Sequence, residues 1–88
     1  ASTDPGAAAA LREAVRLATR DGLADIAALA RRELGFVATA TGDQAEARRQ
    51  LDRAEAAAAG RPEAEAGVAY GRGFALVDTL ASAGAVAE

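Results

Sequence analysis

The side chains that could do chemistry in this sequence are arginines and carboxylates, because the 88 residues include neither His nor Cys. A metal ion could therefore be held only by convergent carboxylates. Glu63 and Glu65 are two residues apart and would point to different faces of a helix. Glu46 and Glu55 lie too far apart along one helix to act on a single substrate. The sequence predicts no acid–base pair and no metal site.

Serine and glycine provide no alternative chemistry. Ser2 and Ser82 have no His to act as a base, and both lie near the ends of the chain. Gly71 and Gly73 fall inside a predicted helix and do not follow a strand, so they do not form a phosphate loop. We therefore expect a protein that is not an enzyme and that uses no cofactor.

Three arginines, Arg12, Arg16 and Arg20, recur at a spacing of four and so form a basic row on one helix face. One interpretation is a surface for an acidic partner or a phosphate. The other is a solvated edge that pairs with neighbouring acids, and we favour it. Those acids are Glu13, Asp21 and Asp25.

Composition excludes several classes of partner. The net charge of −3 argues against a nucleic-acid surface, which should be strongly basic. No apolar run approaches the roughly 20 residues of a membrane-spanning helix, and the first residues lack the basic start and apolar core of a signal peptide. Together with the absence of Cys, these features predict a cytoplasmic protein whose partners are proteins or peptides.

Alanine carries most of the 51% hydrophobic content. It favours helices but contributes little free energy of transfer, so the fold must pack helix tightly on helix. A core this thin calls for a neighbour, and the chain has no initiator Met, so we expect a segment of a larger protein. The basic residues are all Arg, which with the abundant Ala and Gly indicates a GC-rich bacterial genome of the actinobacterial kind.

Helix start and stop signals predict one all-α domain over residues 1–88. Asp4 and Pro5 form a start signal, and Gly22 suits a left-handed helix end. Asp43 with Glu46 three residues later has the form of a capping box. We find no strand alternation. The four predicted helices are 5–20, 23–41, 43–59 and 62–83, with a frayed tail from Gly84.

Apolar residues at helical spacing predict the buried face of each helix. On the third helix, Arg48 and Asp52 are expected to pair outward. Connections of two to four residues require antiparallel neighbours, so the helices should stack as hairpins. The predicted buried residues are, helix by helix, Leu11, Ala14, Val15 and Ala18; Ile26, Ala30, Leu34 and Val37; Ala47, Leu51, Ala54 and Ala58; and Val68, Tyr70, Phe74, Val77 and Leu80.

A set of small and large residues occurs at the spacing of a helical repeat. Its members are Leu34, Gly35, Ala47, Leu51 and Ala54, with partial copies at Ala7, Leu11 and Ala14 and at Tyr70, Gly71 and Phe74. With these residues the chain resembles the tetratricopeptide repeat, in which small residues lie where two helices cross, although Arg31 and Ala38 replace large apolar residues of the family pattern. It is similar to the superhelical repeat region of large bacterial transcriptional regulators of the LuxR and MalT type.

The resemblance implies four antiparallel helices stacked as tetratricopeptide-like hairpins; the alternative is a four-helix bundle. It also implies a concave groove, where Phe36 beside Arg32 and Arg72 could hold a peptide carboxylate. Alternatively, Phe36 packs against a neighbouring hairpin and the arginines are solvated. The groove residues would be Leu29, Arg32, Phe36, Thr39, Glu65, Val68, Arg72 and Ala75.

The expected function is a protein–protein interaction or scaffolding module of a cytoplasmic bacterial transcription regulator. The regulator setting follows from the resemblance alone. The alternative is a self-associating helical module that forms a homodimer, and a small enzyme domain is disfavoured.

Overall fold

The computed structural model describes the backbone of residues 5–87 and the side chains of residues 6–81. Over this range the chain forms four α-helices and no strand, which confirms the all-α prediction. The helices are Pro5–Arg20 (α1), Ala24–Ala40 (α2), Gln44–Ala58 (α3) and Pro62–Ala87 (α4). The α4 backbone therefore continues past the predicted end at 83. Asp4 and Ser2 lie outside the described residues.

Two of the three turns are built in the same way. Gly22 and Gly42 adopt positive φ angles of 73° and 82°. In each turn the amide of the following residue reaches back to the preceding helix, from Leu23 to Ala18 O at 2.8 Å and from Asp43 to Ala38 O at 2.9 Å. This left-handed helix end satisfies carbonyls that the helix leaves free, so Gly22 ends α1 as predicted and Gly42 ends α2 in the same way.

Asp43 begins α3 as predicted, but the capping box is only half formed. The Asp43 carboxylate accepts a hydrogen bond from the Glu46 amide at 3.0 Å. The reciprocal bond is absent because the Asp43 amide already donates to Ala38 O at the end of α2. The Glu46 carboxylate instead accepts from the Gln50 side-chain amide at 2.7 Å and pairs with Arg49. One aspartate thus links the end of α2 to the start of α3.

Helix α2 lies at the centre and contacts α1, α3 and α4, while α4 also packs on α3. At the α2–α3 crossing, a Cβ atom built on Gly35 would lie 3.0 Å from Leu51 Cγ and 3.6 Å from the Ala47 carbonyl. Ala47 and Ala54 are buried beside it. The small residues expected at this crossing therefore lie there.

The core consists of two clusters. The first, with the partly buried Ala57 packed against it, joins α2, α3 and α4 through Ala28, Ala54, Ala58, Ala64 and Val68. The second joins α1 to α2 through Val15, Ala30 and Leu34, with Ala8, Leu11 and Ala14 packed against it.

Two side-chain predictions for the middle helices are wrong. Ile26 is 46% exposed and is not part of the buried face of α2. Its place is taken by Ala27 and Ala28, because a smaller side chain suits the close approach of α3 and α4. Asp52 pairs with Arg72 of α4, and not with Arg48 on its own helix.

We expect Asp43→Ala to lower the free energy of unfolding by about 1 kcal/mol, because the Glu46 amide at the start of α3 loses its acceptor. Urea denaturation followed by circular dichroism would measure it. The control is Asp21→Ala in the similarly built turn between α1 and α2, where the carboxylate meets only Arg20 on the surface. Its loss of unfolding free energy should stay below about 0.5 kcal/mol. Equal losses in the two variants would contradict the cap assignment.

Candidate protein-binding surface

Helix α4 is rotated relative to the predicted groove. Its inward face is a row of small residues, Ala64, Val68, Gly71 and Ala75, which lies against α2 and α3. Val68 is only 1% exposed and Ala75 is also buried. Val68 therefore belongs to the core and does not line an open groove, whereas Ala75 also borders a cleft next to Thr39.

The same rotation turns the predicted crossing residues Tyr70 and Phe74 outward. They are 72% and 58% exposed. Phe74 still meets Phe36 edge to face, with ring centroids 5.8 Å apart and an interplanar angle of 62°. Phe36 thus packs against the neighbouring helix, which was the alternative to its binding a peptide.

Arg32 fills the seam between α2 and α4. A Cβ atom built on Gly71 would lie 2.7 Å from Cγ and Cδ of Arg32, so the α4 backbone rests directly on the arginine stem. Arg32 Nη1 donates to the Gly67 carbonyl at 3.3 Å, and Nη2 donates to Glu33 at 3.1 Å. The guanidinium carbon also lies 5.9 Å from the centre of the Phe36 ring. Arg32 is therefore a packing residue and is not free to take a peptide carboxylate.

Arg72 points to α3, away from Arg32. Its Nε donates to Glu55 at 2.9 Å, and its Nη2 donates to Asp52. The hydrogen bond to Asp52 raises the pKa of Arg72, and Glu55 adds to this. The two arginines proposed to flank one carboxylate thus lie on different sides of α4.

The structure brings only some of the predicted groove residues together. Thr39, Arg72 and Ala75 line one open cleft of about 340 Å³ between α2, α3 and α4. Leu29 is exposed and lies 4.0 Å from a Cβ built on Gly67, and the Glu65 carboxylate accepts from the Gly60 amide at the start of α4. The eight residues therefore do not form one concave site.

The basic row on α1 is a solvated edge, as favoured. Arg16 pairs with Glu13, and Arg20 pairs with Asp21 at 3.0 Å. The hydrogen bond from Arg16 lowers the pKa of Glu13. Within the part of the chain that the structure describes, no group of three or more acidic side chains could hold a metal ion, and no helix is long and apolar enough to cross a bilayer.

The rotation of α4 creates a surface that sequence reasoning did not identify, which we call the α4 apolar face. It consists of large apolar side chains that are 58 to 72% exposed, and it includes Leu76, which no pattern had singled out. At 100° per residue, the charged residues Arg72 and Asp78 flank this face and do not interrupt it. The sequence did contain a sign of this surface, since between Arg72 and Asp78 the helix has apolar residues on two faces and only one of them can be buried. The face comprises Tyr70, Phe74, Leu76, Val77 and Leu80.

Comparisons with known proteins give no further assignment. No protein-family model matches the chain, and no curated protein or solved structure shows significant similarity to it.

Two glycines of α4 provide a test of the seam. Gly71→Ala should be less stable than Gly73→Ala by about 1–3 kcal/mol, because the new methyl group of the first meets the Arg32 stem. A Cβ on Gly73 has nothing within 4 Å, so Gly73→Ala should stabilise the helix by up to about 1 kcal/mol. Thermal unfolding of the three chains compares them, and equal melting temperatures for the two variants would contradict the close packing of α4 on Arg32.

Proposed function

We propose that this protein is a helical protein-interaction module whose α4 apolar face is covered by another polypeptide. The observation that carries the proposal is the exposure of five large apolar side chains on one helix of an 88-residue chain. Large contiguous patches of exposed apolar surface are rare on monomeric proteins, and where they occur they commonly mark interaction sites. The surface carries no charged side chain and has an open depression of about 370 Å³ lined by Tyr70, Phe74 and Val77, which suits a second helix or a flat protein surface.

The apolar character of this face supports the proposal. A chain that leaves large apolar side chains in water gains stability when a partner covers them, by about 25 cal/mol for each Å² of apolar surface removed from water.

Other classes of partner fit less well. A nucleic acid would need a basic surface, but the net charge is −3 and Arg72, beside the α4 apolar face, is already paired with two acids. A small molecule would need an enclosed pocket, and an exposed helix face does not provide one. A polypeptide partner fits the shape and the chemistry of this face.

The setting of the module is also a proposal. The tetratricopeptide-like spacing supports a place among the helical repeats of a cytoplasmic bacterial transcription regulator, and this part rests on the resemblance alone. Self-association is the second candidate. It is favoured by Gly73, where no side chain lies within 4 Å of a Cβ position, because a bare backbone beside Val77 allows two copies of α4 to approach closely.

Val77→Glu tests the proposal, because Val77 is 65% exposed and its replacement leaves the core intact. Burying valine contributes about 1.5 kcal/mol or more, so the variant should bind its partner at least about tenfold more weakly. A photoreactive amino acid at position 77 would identify the partner in cells, and titration with the purified partner would measure the loss. Ala10→Glu, which adds the same charge at an exposed position of α1, should bind normally.

Sedimentation of the purified chain separates the two candidates. A concentration-dependent dimer that Val77→Glu abolishes would establish self-association, whereas a monomer that cross-links to one protein through position 77 would establish a different partner. The control places the same photoreactive amino acid at position 10. The proposal would be overturned if the chain stays monomeric and position 77 cross-links no protein that position 10 does not also capture.

A further inference from the structure

A second surface with different chemistry lies between α1 and α3. Both helices pack on α2, but they do not pack on each other, since no Cα atom of α1 lies within 8 Å of one in α3. The gap forms a groove with α2 as its floor. Its wider end, beside the turn between α1 and α2, has a volume of about 450 Å³. The narrower end, beside the turn between α2 and α3, has about 260 Å³. None of the lining residues belongs to α4.

Two arginines line the wide end without a carboxylate partner. Arg53 has no ion pair or hydrogen bond among the described residues, and Arg31 has only a long contact of 3.4 Å to the Gln50 side-chain oxygen. Burial, and secondly the neighbouring Arg53, lower the pKa of Arg31. The chain has 13 acidic residues and only 10 basic ones, yet this pair of guanidinium groups is left uncompensated.

The position of Arg31 is set by a buried side chain of α3. Gln50 is buried, and its side-chain amide donates to Glu46 at 2.7 Å. This hydrogen bond fixes the amide and directs its oxygen to Arg31. A single amide oxygen satisfies one of the five N–H donors of a guanidinium, so most of the donors of Arg31 remain available.

The rest of the wide end is lined mainly by small apolar residues, among them Ala18, Ala27, Ala56 and Ala57. Apart from the arginines, Thr19 is the only side-chain hydrogen-bond donor that this lining offers an inorganic anion. The lining does suit the backbone and short side chains of an extended peptide, which buries apolar surface along a groove. Two guanidinium groups that line one mainly apolar cavity match a peptide carboxylate, since guanidinium and carboxylate form paired, charge-assisted hydrogen bonds.

We propose that the groove between α1 and α3 binds an acidic peptide segment, with a side-chain carboxylate held between Arg31 and Arg53. This site is separate from the α4 apolar face and would allow the module to hold two partners, or two parts of one partner, at once. It also differs from the predicted groove between α2 and α4, whose arginines are used inside the protein. The apolar lining supplies contact area, and the arginine pair supplies selectivity for acidic sequences.

The test uses the whole chain labelled with ¹⁵N and a short peptide in which glutamate alternates with alanine. At low salt, the peptide should shift the amide signals of Ala27, Ala57 and both arginines. Arg53→Gln should weaken binding about tenfold, as expected for the loss of one charged hydrogen bond. The matched control is Arg48→Gln, which removes the same charge from the side of α3 that faces α4 and should bind as the unaltered chain does.

Three outcomes would overturn the proposal. The first is the absence of shifts in the groove, and the second is equal weakening by Arg48→Gln and Arg53→Gln, which would show a nonspecific charge effect. The third is equally tight binding of inorganic phosphate at the same amides, which would indicate a free-anion site. A peptide with glutamine in place of glutamate should bind at least about tenfold more weakly. Unaltered binding by Val77→Glu would show that this site is independent of the α4 apolar face.

Discussion

At the crossing of α2 and α3, the missing side chain of Gly35 leaves room for Leu51, whose Cγ would lie 3.0 Å from a Cβ at that position. The two backbones can therefore approach closely, and alanines such as Ala54 and Ala58 fill the rest of the contact completely. Because each buried alanine contributes little free energy of transfer, stability depends on many short contacts at high packing density. The same closeness forms the shallow trough into which α4 fits with its own row of small residues.

The helices could be predicted from the sequence because their ends are determined locally. Gly22 and Gly42 adopt conformations that other residues avoid, and Asp43 accepts from the first turn of the helix that it starts. The inward faces of α1 and α3 were also correct, because charged residues occupy their other sides. In both helices the polar pattern leaves a single face to bury.

The candidate site could not be predicted in the same way, because α4 has apolar residues on nearly every side. From periodicity alone, the face of α4 with Tyr70 and Phe74 is predicted to be buried in preference to the face with Val68 and Gly71. The choice is made by the width of the trough between α2 and α3, which admits small side chains and excludes large ones. That width is a property of the tertiary structure. Ile26 was misplaced for the same reason, since the alanines after it fit where an isoleucine does not.

Besides the surface ion pairs of residues such as Arg16, arginine has three other roles among the described residues, and its surroundings decide which one applies. Arg32 is a packing residue whose stem supports the α4 backbone, and Arg72 links α4 to two acids of α3. Arg31 and Arg53 remain without an acid in an apolar groove. Sequence spacing does not predict which role an arginine has. Arg31 and Arg32 are neighbours in the sequence, but Arg31 lies beside α3 and Arg32 lies against α4.

The two core clusters have a consequence for how the protein comes apart. Within residues 6–81 they share no residue, and α2 is the only helix that contributes to both. Detachment of α1 would therefore expose Val15, Ala30 and Leu34 but would leave the contacts among α2, α3 and α4 intact. Local opening follows such boundaries, so amide hydrogens of α1 should exchange with solvent before those of α3. Helix α1 could thus move away from α2 while the other three helices stay packed, and this movement would widen the groove that it shares with α3.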